Sequence, residues 1–100
     1  MQARIMIVDD DSDVRLLLED AMRAAGFDCV GADCGHQALA LLEDFAADVV
    51  ITDLRMPGMH GLELLSLIKG RCAVIVMTGF AEDLTAEQVM ALGARDFFQT

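Results

Sequence analysis

Residues 1–15 read MQARIMIVDDDSDVR. An unbroken apolar run, Ile5 to Val8, passes straight into four carboxylates within five positions: Asp9, Asp10, Asp11 and Asp13. A short continuous apolar run is the signature of a strand covered on both faces. Carboxylates this close together repel one another. The acidic cluster is therefore either a solvated turn that starts a helix or half of a cation site, and the rest of the chain has to decide.

From Ser12 the period changes. Val14, Leu17, Leu18, Ala21, Met22 and Ala25 recur at helical spacing, and Gly26 supplies a C-terminal stop. CVGA (29–32) reads as a short strand, and a second helix follows with Ala38, Leu41, Leu42 and Phe45 on one face. VVIT (49–52) is another all-apolar strand, ending at Asp53, and RMPGMHG (55–61) is a loop. LELLSLIK (62–69) is a short helix, and AVIVM (73–77) is a fourth strand. TAEQVMAL (85–92) opens with a Thr-x-x-Gln capping box, and RDFF (95–98) is a fifth strand. Strand and helix alternate throughout. That pattern predicts one α/β domain over residues 1–100, a parallel sheet with helices on both faces joined by right-handed crossovers.

Composition narrows the function. At 100 residues and 55% hydrophobic, the chain is well clear of the disordered class. No apolar run reaches membrane-spanning length, and the N-terminus does not read as a signal peptide. Lys plus Arg is 7 against 17 Asp plus Glu, a net charge of -10. Such a balance argues against direct nucleic-acid contact and against anionic lipid, and suits a cation or a basic protein surface. Cys29, Cys34 and Cys72 show no Cys-x-x-Cys spacing and read as reduced cytoplasmic thiols. His36 and His60 lack the spacing of a zinc site.

In an open parallel sheet, ligands bind outside the carboxyl ends of the strands. Those ends carry Asp9 and Asp10, then Asp53, then Thr78. Three carboxylates in one cleft need a positive neighbour, and an all-oxygen donor set suits Mg²⁺. Asp11, Ser12 and Asp13 read as an acidic helix cap. An EF-hand loop is rejected, because Val14 stands where that loop needs Gly and a strand precedes it. Met56, Met59, Met77 and Met90 read as packing residues. A phosphohydrolase or a nucleotide- or flavin-binding domain lacks support: there is no GxGxxG, no P-loop, and no Trp or Tyr.

IMIVDDDSDVR, VVITDLRMPGMHGLELL, AVIVMTGF and GARDFF, in that order, resemble the receiver domain of bacterial two-component response regulators, across the whole chain. The resemblance implies a flavodoxin-like, doubly wound five-stranded parallel sheet of order 2-1-3-4-5. It implies that Asp53 is the phosphoacceptor, charged by a sensor histidine kinase, a phosphotransfer protein or a small donor such as acetyl phosphate. Asp10, Asp53 and the backbone carbonyl of Arg55 are implied as ligands of Mg²⁺ (or Mn²⁺), with Asp9 acting through water. Thr78 is the implied phosphoryl contact and Phe97 the switch aromatic, while Pro57 and Gly58 shape the loop bearing Arg55. A cytoplasmic signalling switch is implied, with an output domain or a homodimer as further partner. It promotes its own phosphorylation and dephosphorylation and is not otherwise an enzyme.

Three features depart from the family. Thr100 stands where the family carries a lysine. The final helix of the fold is missing from this chain, which is expected to expose apolar surface on the first and fifth strands. KGRCAVIV predicts a shortened third helix or loop. The alternative these features raise is a receiver-like binding module, no longer effectively phosphorylated, that works through protein contacts.

Overall fold

A computed structural model describes residues 2–78 and 85–99; Thr100 lies outside the described residues. The elements are β1 (Arg4–Val8), α1 (Ser12–Ala24), β2 (Asp28–Ala32), α2 (Gly35–Leu41), β3 (Val49–Thr52), α3 (Gly61–Ile68), β4 (Ala73–Thr78), α4 (Ala86–Ala91) and β5 (Asp96–Gln99). All strands are parallel and lie in the order β2-β1-β3-β4-β5, as expected. The direction in which successive strands are added to the sheet reverses at β1, with β2 on one side and β3 on the other, so the carboxyl ends of β1 and β3 open onto one crevice.

Local chemistry starts the helices where the sequence suggested. Asp11 is the N-cap of α1, its Oδ1 accepting from the amides of Asp13 (3.0 Å) and Val14 (3.3 Å). These bonds satisfy two of the amides that the first turn of a helix leaves unpaired. Thr85 and Gln88 form the reciprocal capping box of α4, at 2.8 and 3.1 Å.

One face of the sheet makes the core. Met6, Val8, Val50, Val74 and Val76 pack there against Ala38 and Leu42 from the α2 region, Leu64, Leu65 and Ile68 of α3, and Val89 of α4. Burial of these side chains supplies the main favourable term of folding, roughly 1.5–3 kcal/mol for each large one. The opposite face carries α1, which packs on β1 and β2.

Two sequence expectations need correction on that second face. The predicted apolar stripe of α1 faces the sheet only in part: Leu18 and Met22 point inward, whereas Leu17 is 70% exposed and Val14, Ala21 and Ala25 are exposed beside it. Arg15 and Glu19 complete the inward face, which two charged residues can do because they are paired with each other. Exposed apolar surface is also expected on the first and fifth strands; it is found on β5, where Phe98 is 50% exposed, and not on β1. Ile5 and Ile7 of β1 are in fact buried, lying on the face that α1 covers. The half-exposed surface lies on β3 and β4, at Val49, Ile51, Ala73, Ile75 and Met77, and continues onto β5 at Phe98.

Candidate functional site

The acidic cluster is assembled by strand ends. Asp9 follows β1 and Asp53 follows β3, and the two strands are hydrogen-bonded in register from Ile5↔Val49 to Val8↔Thr52. The Asp53 amide continues that ladder, donating to the Val8 carbonyl at 3.1 Å, while the Asp9 amide donates to the Ala32 carbonyl at 3.1 Å. Backbone pairing thus fixes both residues independently of their side chains. Asp9, Asp10 and Asp53 each place a carboxylate oxygen within 4.8 Å of the others.

Their environments differ. Asp9 is buried, Asp53 is half-buried and Asp10 is exposed. Burial pushes the Asp9 carboxyl above its ordinary pKa; a hydrogen bond from the Asp11 amide (2.9 Å) opposes this, and the neighbouring carboxylates of Asp53, Asp10 and Asp11 reinforce it. Asp53 Oδ1 accepts from the Leu54 amide at 2.7 Å. An all-oxygen cluster with a buried member whose pKa is raised is what a hard divalent cation would relieve.

Asp10 also lines a pocket of about 340 Å³ with Arg55, Met56, Pro57 and His60. This loop is held by two devices. The Gly61 amide donates to the Leu54 carbonyl at 2.7 Å, and His60, the N-cap of α3, accepts from the Leu62 amide through Nδ1 at 3.1 Å. Thr78 is the buried last residue of β4 at the same sheet edge. Phe97 pairs with Val76 across β4 and β5 and packs, half-buried, against the core. The structure therefore brings Asp9, Asp10 and Asp53 together, sets Arg55 beside Asp10, and puts Thr78 on the same edge. Phe97 sits two residues below Gln99, the β5 partner of Thr78.

Sequence reading missed three contributors. His60 is read from the sequence only as a poor zinc ligand, and its place as N-cap of α3 has no signal there because histidine is an unusual N-cap. Gly61 was read as part of a loop, although it allows the backbone of Asp53 and Leu54 to approach. Arg15 donates through Nη1 to the Asp9 carbonyl at 2.8 Å; the four-residue steps from Arg15 to Glu19 and from Glu19 to Arg23 are the available signal.

A five-stranded parallel sheet of this order, with three acids at the carboxyl edge beside its topological switch point, defines a flavodoxin-like α/β domain built around an acidic site. The sequence matches the response regulator receiver domain over residues 5–99, and the chain belongs to that family, the phosphoacceptor switch domains of two-component response regulators. The DNA-binding transcriptional regulator NtrC of Salmonella typhimurium is 41% identical over 96 residues, covering 93% of this chain and 20% of the regulator. The chain thus spans about a fifth of that regulator's length. The response regulator receiver protein from Pseudomonas putida superposes with a TM-score of 0.91 at 31% identity, over 100% of this chain and 87% of the other. TrrA from Thermotoga maritima, solved in complex with Mg(2+)-BeF, gives 0.86 at 26% identity, over 99% and 87%. No helix among the described residues is long and apolar enough to cross a membrane.

Proposed function

We propose that Asp53 accepts a phosphoryl group, and that Asp10, Asp53 and the Arg55 carbonyl, with Asp9 through water, hold the Mg²⁺ or Mn²⁺ that makes this possible. The meeting of Asp9, Asp10 and Asp53 from two strand ends carries the reading. The Mg(2+)-BeF complex of the related TrrA supports it.

A carboxylate oxygen of Asp53 attacks phosphorus. The P–N bond of a phosphohistidine, or the P–O bond of acetyl phosphate, breaks; the leaving imidazole nitrogen takes up a proton, or acetate departs. An acyl phosphate remains on Asp53. A bound divalent cation supplies charge neutralisation, without which three carboxylates repel the incoming phosphoryl group. Thr78 hydrogen-bonds a phosphoryl oxygen, and Phe97 moves with it. One covalent charge then biases a two-state element near α4 and β5. The same residues favour hydrolysis of the acyl phosphate, so the domain times its own signal.

The phosphodonor is a sensor histidine kinase or phosphotransfer protein in the cytoplasm. The recipient of the signal is an output domain or a second copy of the chain. The test is intact mass after incubation with acetyl phosphate. A gain of one phosphoryl group that requires Mg²⁺ and is absent from Asp53→Asn is expected. Folded protein that gains none overturns the reading in favour of a non-phosphorylated binding module.

A further inference from the structure

Glu19 lies in the middle of α1 and faces the sheet, its side chain only 10% exposed. A carboxylate buried to that extent is costly unless paired. Two arginines on its own helix pair with it: Arg15 Nε at 3.8 Å from Oε2, and Arg23 Nη2 at 3.2 Å from Oε1. The space it occupies exists because residue 31 on β2 is glycine; a Cβ there would overlap the Glu19 carboxylate.

The two arginines are not equivalent. Arg23 is 51% exposed, and Nη2 also donates to the Cys29 carbonyl at 2.9 Å, tying α1 to β2. Arg15 is 19% exposed and reaches the other way, to the main-chain oxygen of Asp9 at 2.8 Å. Asp9 is otherwise held by its amide on Ala32 and by the Asp11 amide on its side chain. Arg15 completes the set, so the backbone of Asp9 is fixed at both N–H and C=O in a place where neighbouring carboxylates push it away.

We propose that Arg15, itself oriented by Glu19 in the space that Gly31 leaves, is a positioning residue for the cation site. This rests on the metal-dependent reading above. An acid already held in place loses less freedom when the cation and its water bind beside it, which favours the cation. The planar guanidinium can face Glu19 and Asp9 at once, one contact through Nε and the other through Nη1. A lysine ammonium cannot divide itself in this way.

The test is Mg²⁺ titration by calorimetry, with urea unfolding of each variant alongside. Arg15→Met is expected to raise the Mg²⁺ Kd on the order of tenfold, as loss of an outer support of a metal ligand typically does; Arg15→Lys is expected to fall between it and the wild type. Arg23→Met loses the same partner carboxylate but no contact with Asp9, so its Kd should stay within twofold of wild type. Glu19→Gln should weaken binding in the wild type and add nothing in Arg15→Met, a non-additivity that separate structural roles would not give. If Arg15→Met does not fold, Arg15→Lys and Glu19→Gln carry the comparison. Wild-type affinity in Arg15→Met, or equal loss in Arg23→Met, overturns the proposal alone. A folded wild type that binds no Mg²⁺ overturns the metal-dependent reading and this proposal with it.

Discussion

Gly61→Ala isolates a constraint that backbone conformation does not impose. Among the described residues the glycines with positive φ are Gly26, Gly58 and Gly93, so Gly61 is not needed for a left-handed turn. By helix propensity and unfolded-state entropy alone, alanine at the first position of α3 should stabilise by roughly 0.4–1 kcal/mol. Space decides otherwise. A Cβ at residue 61 would lie 2.9 Å from Leu54 Cα and 3.0 Å from the Asp53 carbonyl carbon, and would collide with the Asp53 oxygen. Comfortable carbon contacts are about 3.5–4.0 Å, so two backbone segments must separate by ~0.5 Å or more. Both are fixed by hydrogen bonds, and overpacking of this kind costs about 1–3 kcal/mol. A net loss of ~2 kcal/mol is expected, or a Tm lower by roughly 8–16 °C in a domain of this size. Thermal and urea unfolding measure it. Gly70→Ala is the control, since nothing lies within 4 Å of its Cβ position and its φ is not positive. It should be neutral or slightly stabilising. Because the displaced atoms belong to Asp53 and Leu54, Gly61→Ala should also weaken Mg²⁺ binding. A Gly61→Ala protein as stable as Gly70→Ala would refute the reasoning.

Asp9 gives a pH-dependent prediction. Its folded pKa is raised, so between the unfolded value near 3.8 and the raised one the native state binds more protons, and stability falls as pH rises through that window. Metal-free Asp9→Asn should therefore be more stable than wild type at neutral pH, with the advantage vanishing in acid below about 3.8; urea midpoints across pH check this. Saturating Mg²⁺ should reverse the order. On the two sides of the sheet, Leu64→Ala should cost about 2–5 kcal/mol, because its side chain is fully buried, and Leu17→Ala should stay within about 0.5 kcal/mol, because its side chain is mostly in water. Equal denaturation midpoints for these two variants would contradict the orientation of α1. Thr85→Ala removes one side of the α4 capping box and should cost roughly 0.5–2 kcal/mol, read as a lower urea midpoint.

The parts legible in the sequence were those set by period and by strand ends. VVIT at 49–52 was located to the residue because an all-apolar run stops at an acid. The parallel sheet followed from strict alternation and its strand order from the family resemblance alone, and the acidic cluster followed from the rule that such sheets bind at their carboxyl edge. The orientation of α1 was legible only in part. Apolar periodicity put Val14, Leu17, Leu18, Ala21, Met22 and Ala25 on one face; Leu18 and Met22 do point inward, but the pairing of Glu19 with Arg15 and Arg23 lets charged residues share the face on the sheet and leaves Val14, Leu17 and Ala21 in water. Hydrophobic spacing carries no information about which charges will neutralise each other in three dimensions. Likewise, all-apolar β3 and β4 read as covered on both faces, whereas one face of each is half-exposed. Gly61 and Gly31 looked like ordinary loop and strand glycines, because close approach depends on neighbours distant in sequence.

The claim that Asp53 alone, among three carboxylates within 4.8 Å of one another, accepts the phosphoryl group can be tested at the level of the residue. Protein treated with acetyl phosphate and Mg²⁺ is reduced with borohydride, which converts an aspartyl phosphate to homoserine, and then digested and sequenced by mass spectrometry. Homoserine at position 53, with Asp9 and Asp10 intact, is the expected result. Homoserine at position 9 or 10, or no conversion in folded protein that binds Mg²⁺, would contradict it.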